Sequence, residues 1–147
     1  MKISLSSFLY FNYPLDEAVR RTAAAGFEGI DIWGGRPHAF GRDRSERELF
    51  AIRRLIADEG LEPASFIPAQ FRYPTSLCSP MPVIHRESIR YIQDGIETAS
   101  ALGAPVVSIC PGHTLFRSSP LNRREFADKL IELSGFRRKC KFLKVPM

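Results

Sequence analysis

Five side chains stand where they could meet a small polar molecule. Asp31 and Trp33 close a short apolar run, Ile30-Asp31-Ile32-Trp33, and Gly34-Gly35-Arg36-Pro37-His38-Ala39-Phe40 follows directly. His113 follows a second apolar run, Ala104 to Cys110, across Pro111-Gly112. An indole offers stacking surface for a ligand ring, and adjacent glycines keep the loop open to a ligand. A guanidinium can clamp a phosphate or carboxylate through paired hydrogen bonds. An imidazole can shuttle a proton or bind a hydroxyl, and Asp31 can bind a hydroxyl or orient Arg36. Each residue also has a plain reading: a core aromatic at Trp33, a surface arginine at Arg36, a loop histidine satisfied by a backbone carbonyl at His38, a structural salt bridge at Asp31. Acid-base chemistry needs a placed base, and developing charge needs an electrophile to hold it. A hard cation wants several oxygen ligands converging from different strands. One acid and two imidazoles on separate loops lack that spacing, so no metal ligand and no catalytic residue is assigned.

The elements that must position these groups follow from periodicity. Lys2 to Phe8 alternates, with Ile3 and Leu5 opposite Ser4 and Ser6, and predicts a half-buried strand. Pro14 opens a helix with Asp16 and Glu17 in its first turn and an apolar stripe at Leu15, Val19 and Thr22-Ala23, stopped by Gly26. Phe27 to Trp33 predicts the second strand, with Ile30 and Ile32 on one face and Gly29, Asp31 and Trp33 on the other. Ser45, with Glu48 three residues on, predicts a capped helix carrying Leu49, Ile52, Leu55 and Ile56 to Gly60. Leu61 to Ile67 is the third strand. The proline-rich stretch from Pro68 to Pro82 is an excursion. A third helix runs from about Val83 to Leu102, with His85 exposed at its start, and Ala104 to Cys110 is the fourth strand. There Ser108 and Cys110 share the inward parity and fill the interior. A fourth helix starts near Asn122.

Three helix-to-strand junctions look alike, with glycines at 26, 60 and 103. Repeated strand-helix units at such intervals mark parallel α/β construction. A closed eight-unit barrel needs about 250 residues, and 147 residues give about four units. The predicted fold is therefore α/β, a partial (β/α)8 TIM barrel with parallel strands.

Charge is uneven. Residues 1–136 carry 16 Lys plus Arg against 16 Asp plus Glu, and the net +5 lies entirely in Arg137, Arg138, Lys139, Lys141 and Lys144. The basic balance thus describes a tail and not a nucleic-acid face. No apolar run approaches the ~20 residues of a membrane span, and no cleavage site follows the apolar N-terminus, so the expectation is cytoplasmic, with neither nucleic acid nor membrane as partner. Cys78, Cys110 and Cys140 are odd in number and widely spaced, which fits free thiols.

The run Ile32-Trp33-Gly34-Gly35-Arg36-Pro37-His38-Ala39-Phe40 closely resembles the strand-two region of sugar-phosphate isomerase/epimerase proteins, the xylose-isomerase-like TIM barrels, and most of all the fructoselysine 3-epimerase type. The Pro-Leu-Asp-Glu-Ala helix entry, the Gly-Phe-Glu-Gly-Ile strand start and His85-Arg86-Glu87-Ser88 add to the resemblance, which spans about residues 1–134 as an N-terminal half-barrel. It implies a metal-dependent enzyme moving a proton beside the carbonyl of a ketose, a fructosamine-type sugar or its phosphate. It also implies substrate-facing roles for Trp33, Arg36, His38, Asp31 and His113. The family's divalent metal, manganese or similar, is held by two Glu, one Asp and one His from the fifth strand onward. No carboxylate follows Glu132, and Val145-Pro146-Met147 stands where a Glu-Pro is expected. The expectation is a fragment without bound metal and inactive alone, whose partners are a sugar or sugar phosphate and either a second copy or a missing C-terminal half. Residues 135–147 read as an atypical basic tail. It is either a segment for an acidic partner or out-of-frame or truncated sequence. The second reading accounts together for the missing glutamate and for the change from 14 Arg against Lys2 and Lys129 before residue 137 to three Lys and no Arg in the last nine residues. The alternatives are a non-catalytic half-barrel assembly module and an endonuclease IV-like DNA-repair barrel.

Overall fold

The computed structural model describes residues 2–70, 75–77 and 79–110, and beyond these residues 124, 127–128, 131–133 and 135. Strand β1 (Ser4–Ser6) leads through a 3-10 turn (Ser7–Tyr10) to helix α1 (Leu15–Ala24), then β2 (Gly29–Gly34), α2 (Glu46–Asp58), β3 (Glu62–Pro68) and α3 (Pro82–Leu102). The strands form one parallel sheet in the order β1-β2-β3. Each is followed by a helix packed back onto the sheet, which is the repeating unit of an α/β barrel. With three such units among the described residues, the fold is part of that barrel, as the repeat of glycines predicts.

Local chemistry explains the elements. In α1, Leu15, Ala18, Val19 and Thr22 form the buried stripe, while the exposed side carries the i,i+4 pairs Asp16–Arg20 (2.8 Å) and Glu17–Arg21 (2.7 Å). Ser45 and Glu48 close a reciprocal capping box at the start of α2, an arrangement whose cap contributes about 1 kcal/mol. Gly103, at φ 78°, ends α3 in the left-handed conformation that a side chain would strain.

Ile30 and Ile32 of β2 and Phe66 of β3 face the helices and, with Val19, Ile56 and Leu102, make the main core. A second cluster gathers Phe40, Leu77, Tyr91, Ile92, Ile96 and Leu133 around α3. The opposite face of the sheet carries Ser4, Asp31 and Ser65, aligned across the three strands by the register Ser4↔Gly29, Ser6↔Asp31 and Asp31↔Ser65.

Three details differ from the sequence reading. The first strand is shorter than Lys2 to Phe8, because the Ser6 hydroxyl accepts the Phe8 N–H (3.3 Å) and turns the chain into the 3-10 segment. His85 is half-buried instead of exposed.

The third difference concerns the fourth strand, which is reduced to a single parallel bridge, Phe66↔Val107. Phe66 N–H donates to the Val106 carbonyl (2.8 Å) and Ser108 N–H to the Phe66 carbonyl (2.9 Å). The next rung would need an N–H from Pro68, which has none. The Gln70 N–H occupies the Pro68 carbonyl instead (2.8 Å). The fourth helix lies largely outside the described residues, of which Arg124, Ala127, Asp128, 131–133 and Gly135 are helical.

Candidate functional site

The strands all point their C-terminal ends the same way, and a cavity of about 510 Å³ opens there. Ser6 and Phe8 enter it from the end of β1, Trp33 from the end of β2, and Ile67 and Pro68 from the end of β3. Ala69 and Gln70 continue the wall, and Ser108, Ile109 and Cys110 close the far side. Mostly apolar walls with a few placed polar groups are the usual build of a small-molecule site.

Trp33 is held tightly. It is 5% exposed, and the Phe8 ring meets it edge-on at 5.0 Å. Phe8, 44% exposed, stacks in turn on Phe11 at 5.5 Å. The glycines after Trp33 serve packing. A Cβ on Gly35 would overlap the indole, 2.6 Å from Cε2, and a Cβ on Gly34 would come within 2.8 Å of the Phe66 ring.

His38 is fully buried and does not line the cavity. Its ring meets the indole edge-on at 5.6 Å, with Nδ1 3.2 Å from the Ser7 hydroxyl and Nε2 3.0 and 3.3 Å from the carbonyls of Tyr13 and Tyr10. Burial pushes the imidazole pKa below its usual 6.5. The two carbonyls oppose that shift and the Arg44 guanidinium adds to it.

Arg36 points away from the cavity. Its fork pairs with Asp43, through Nε to one carboxylate oxygen and through Nη2 to the other (2.8 Å), and lies 4.2 Å over the Phe40 ring. The side chain is 56% exposed. The same pairing holds the Asp43 carboxyl below its usual range. Arg44 secures the base of this loop by donating to the carbonyls of Pro37 (3.0 Å) and His38 (2.9 Å).

Asp31 sits on the inward face, one step before the cavity. It accepts from the hydroxyls of Ser4 (2.7 Å) and Ser65 (2.6 Å). His113 lies outside the described residues. Of the five residues singled out from sequence, the structure therefore brings Trp33 to the cavity, with His38 packed behind it and Asp31 beneath. Arg36 stands on the outer surface.

Phe8, Ser6 and Gln70 were not singled out. Phe8 lies in the 3-10 segment after β1, where strand alternation no longer sets side-chain direction. Gln70 lies in a stretch with no period. Its side chain pairs with the Cys110 backbone in both directions, accepting from N–H at 2.6 Å and donating to the carbonyl at 2.8 Å. Ser108 and Cys110, expected to fill the interior, stand on the cavity wall.

Among the described residues, no three His, Cys, Asp or Glu side chains could share one ion. Asp31 and His38 are also committed to hydroxyl and carbonyl partners. The described residues do not fit a divalent metal, so the chemistry they support is recognition: an aromatic wall, two serine hydroxyls and backbone groups at a strand-end opening. No helix among them is long and apolar enough to cross a membrane.

A family model described as xylose isomerase-like TIM barrel matches residues 19–142. The chain belongs to that family. Its curated relatives include the fructoselysine 3-epimerase of Shigella flexneri, 28% identical over 120 residues that make up 82% of this chain and 44% of that protein. The Escherichia coli O157:H7 protein of the same name is 27% identical over the same shares. The chain thus spans less than half the length of these relatives.

Among solved structures, a D-psicose 3-epimerase studied in the presence of D-fructose superposes with a TM-score of 0.74 at 13% identity, over 95% of this chain and 49% of that one. A 3-keto-D-glucoside 4-epimerase from E. coli gives 0.71 at 17% identity, over 95% and 52%. At these identities the structural likeness speaks for the xylose isomerase-like barrel alone, and about half of it is present.

Proposed function

We propose that this chain carries the sugar-binding face of a carbohydrate isomerase or epimerase that moves a proton beside the carbonyl of a ketose or fructosamine-type substrate. The observation that supports it most is the Trp33–Phe8 wall at the C-terminal opening of the parallel strands, where barrels of this architecture place their sites. An aromatic face packs against the C–H surface of a sugar, and the hydroxyls of Ser6 and Ser108 can meet its oxygens. Relatives named as epimerases give the reaction class.

The cavity wall contains no carboxylate and no imidazole among the described residues. The base and the divalent metal of the reaction are assigned to the part of the barrel that this chain's span does not match in its relatives. The chain by itself then binds a sugar without turning it over, and a phosphorylated ketose remains within the proposed substrate class.

Amide NMR of the chain with D-fructose tests the placement. Shifts should concentrate at Ser6, Phe8, Trp33, Gln70 and Cys110. Shifts confined to the Arg36–Asp43 loop would move the site to the outer surface and refute the reading. Proton exchange with solvent at carbon 3 of D-fructose or fructoselysine, catalysed by the chain with manganese, would show that the chain holds a complete active site.

A further inference from the structure

We propose that Ser7 and His38 are positioning residues that lock Trp33 in place as the aromatic floor of the cavity. The proposal rests on the sugar-site reading for its purpose and on hydrogen-bond directions for its content. Both side chains are completely buried although both are polar, and neither lines the cavity. A buried polar group costs stability unless its bonds are satisfied, so their bonds define what they do.

The directions can be worked out from the acceptors. Two carbonyl oxygens, those of Tyr13 at 3.0 Å and Tyr10 at 3.3 Å, face His38 Nε2. Carbonyls only accept, so Nε2 carries the proton. In the neutral ring Nδ1 is then a lone pair, and it accepts the hydroxyl proton of Ser7 across 3.2 Å. That leaves the Ser7 oxygen free to accept the backbone N–H of Trp33 at 2.9 Å.

One directed chain therefore runs from the turn after β1, through His38 and Ser7, into the last residues of β2. Each proton has one place in it. The imidazole also meets the indole edge-on, so the same ring holds Trp33 by contact as well as by relay. Arg44 fixes the His38 backbone from the other side through its carbonyl. The arrangement makes the indole position depend on two residues that a bound sugar would not touch.

The wild-type chain gives the first test. Long-range proton–nitrogen NMR should find His38 as the neutral tautomer protonated on Nε2. A ring protonated on Nδ1, or on both nitrogens at neutral pH, would overturn the relay. The second test uses Trp33 as a built-in probe, since it is the chain's single tryptophan.

In Ser7→Ala and in His38→Gln, with far-UV circular dichroism unchanged, acrylamide should quench Trp33 more readily and its near-UV signal should weaken. Affinity for D-fructose should fall about fivefold, the effect of losing one ordinary hydrogen bond. Wild-type quenching in both folded variants would overturn the proposal. If neither variant folds, the tautomer of the wild-type ring decides. Absence of D-fructose binding by the wild type would count against the sugar site, while the tautomer and quenching results would still judge the lock.

Discussion

The Gln70 carboxamide closes a two-bond ring on the backbone of Cys110, accepting its N–H at 2.6 Å and donating to its carbonyl at 2.8 Å. A side-chain amide has the same donor and acceptor as a peptide group, so Gln70 supplies the rung that Pro68 cannot. It is the described link that carries the sheet past the Phe66↔Val107 bridge to the far wall of the cavity. Gln70→Ala should destabilise the chain by about 1 kcal/mol, because two part-buried backbone groups lose their partner. Urea unfolding measures the loss, and amide hydrogen exchange at Cys110 should accelerate more than exchange in β1.

Gly35→Ala should disturb Trp33 without touching any polar group. The added methyl would overlap the indole, so the ring must move or the strand end must shift. Overpacking of this kind costs about 1–3 kcal/mol. Tryptophan emission should change in the same variant, whereas Gly26→Ala, where a Cβ meets nothing within 4 Å, should strain only its own backbone at φ 81° and leave the emission alone.

Acid should weaken the fold through His38. Burial lowers its folded-state pKa below 6.5, so on acidification the unfolded chain takes up this proton first. The stabilisation is therefore complete above about pH 6.5 and lost as pH falls through the lowered folded value. Urea midpoints should drop between about pH 7 and pH 5, before the carboxylates titrate. In His38→Gln that slope should flatten.

Arg36→Ala should leave both D-fructose binding and the urea midpoint close to wild type. The side chain is largely exposed and its fork is spent on Asp43, outside the cavity. Exposed ion pairs contribute little to stability. A large loss of affinity on titration with D-fructose or its phosphate would show that Arg36 swings inward to clamp the ligand.

Much of this architecture could be read from spacing. The positive-φ glycines at 26, 60 and 103 fall at the helix ends where the sequence put them, and Ser45 with Glu48 caps α2 as their spacing predicts. Face assignment in β2 was equally legible, because Ile30 and Ile32 alternate with Asp31 and Trp33 in a strand covered by helices on one side. Side-chain direction after the strand was not legible. Arg36 and His38 differ by two residues, yet one lies over Phe40 in solvent and the other is sealed beneath Trp33. No periodicity governs a loop, and its conformation here is set by partners distant in sequence such as Ser7 and Tyr13 together with the nearby Arg44. The glycine pair shows the same limit. Their type signalled close approach, but what approaches is the indole and the Phe66 ring of the chain itself.

The most direct test is a titration of the 147-residue chain with D-fructose and with fructoselysine, followed by Trp33 emission. A saturable change that weakens markedly in Phe8→Ala and persists in Arg36→Ala is the predicted result. No saturable response to either sugar, or one abolished by Arg36→Ala and indifferent to Phe8→Ala, would contradict a sugar site at the strand ends.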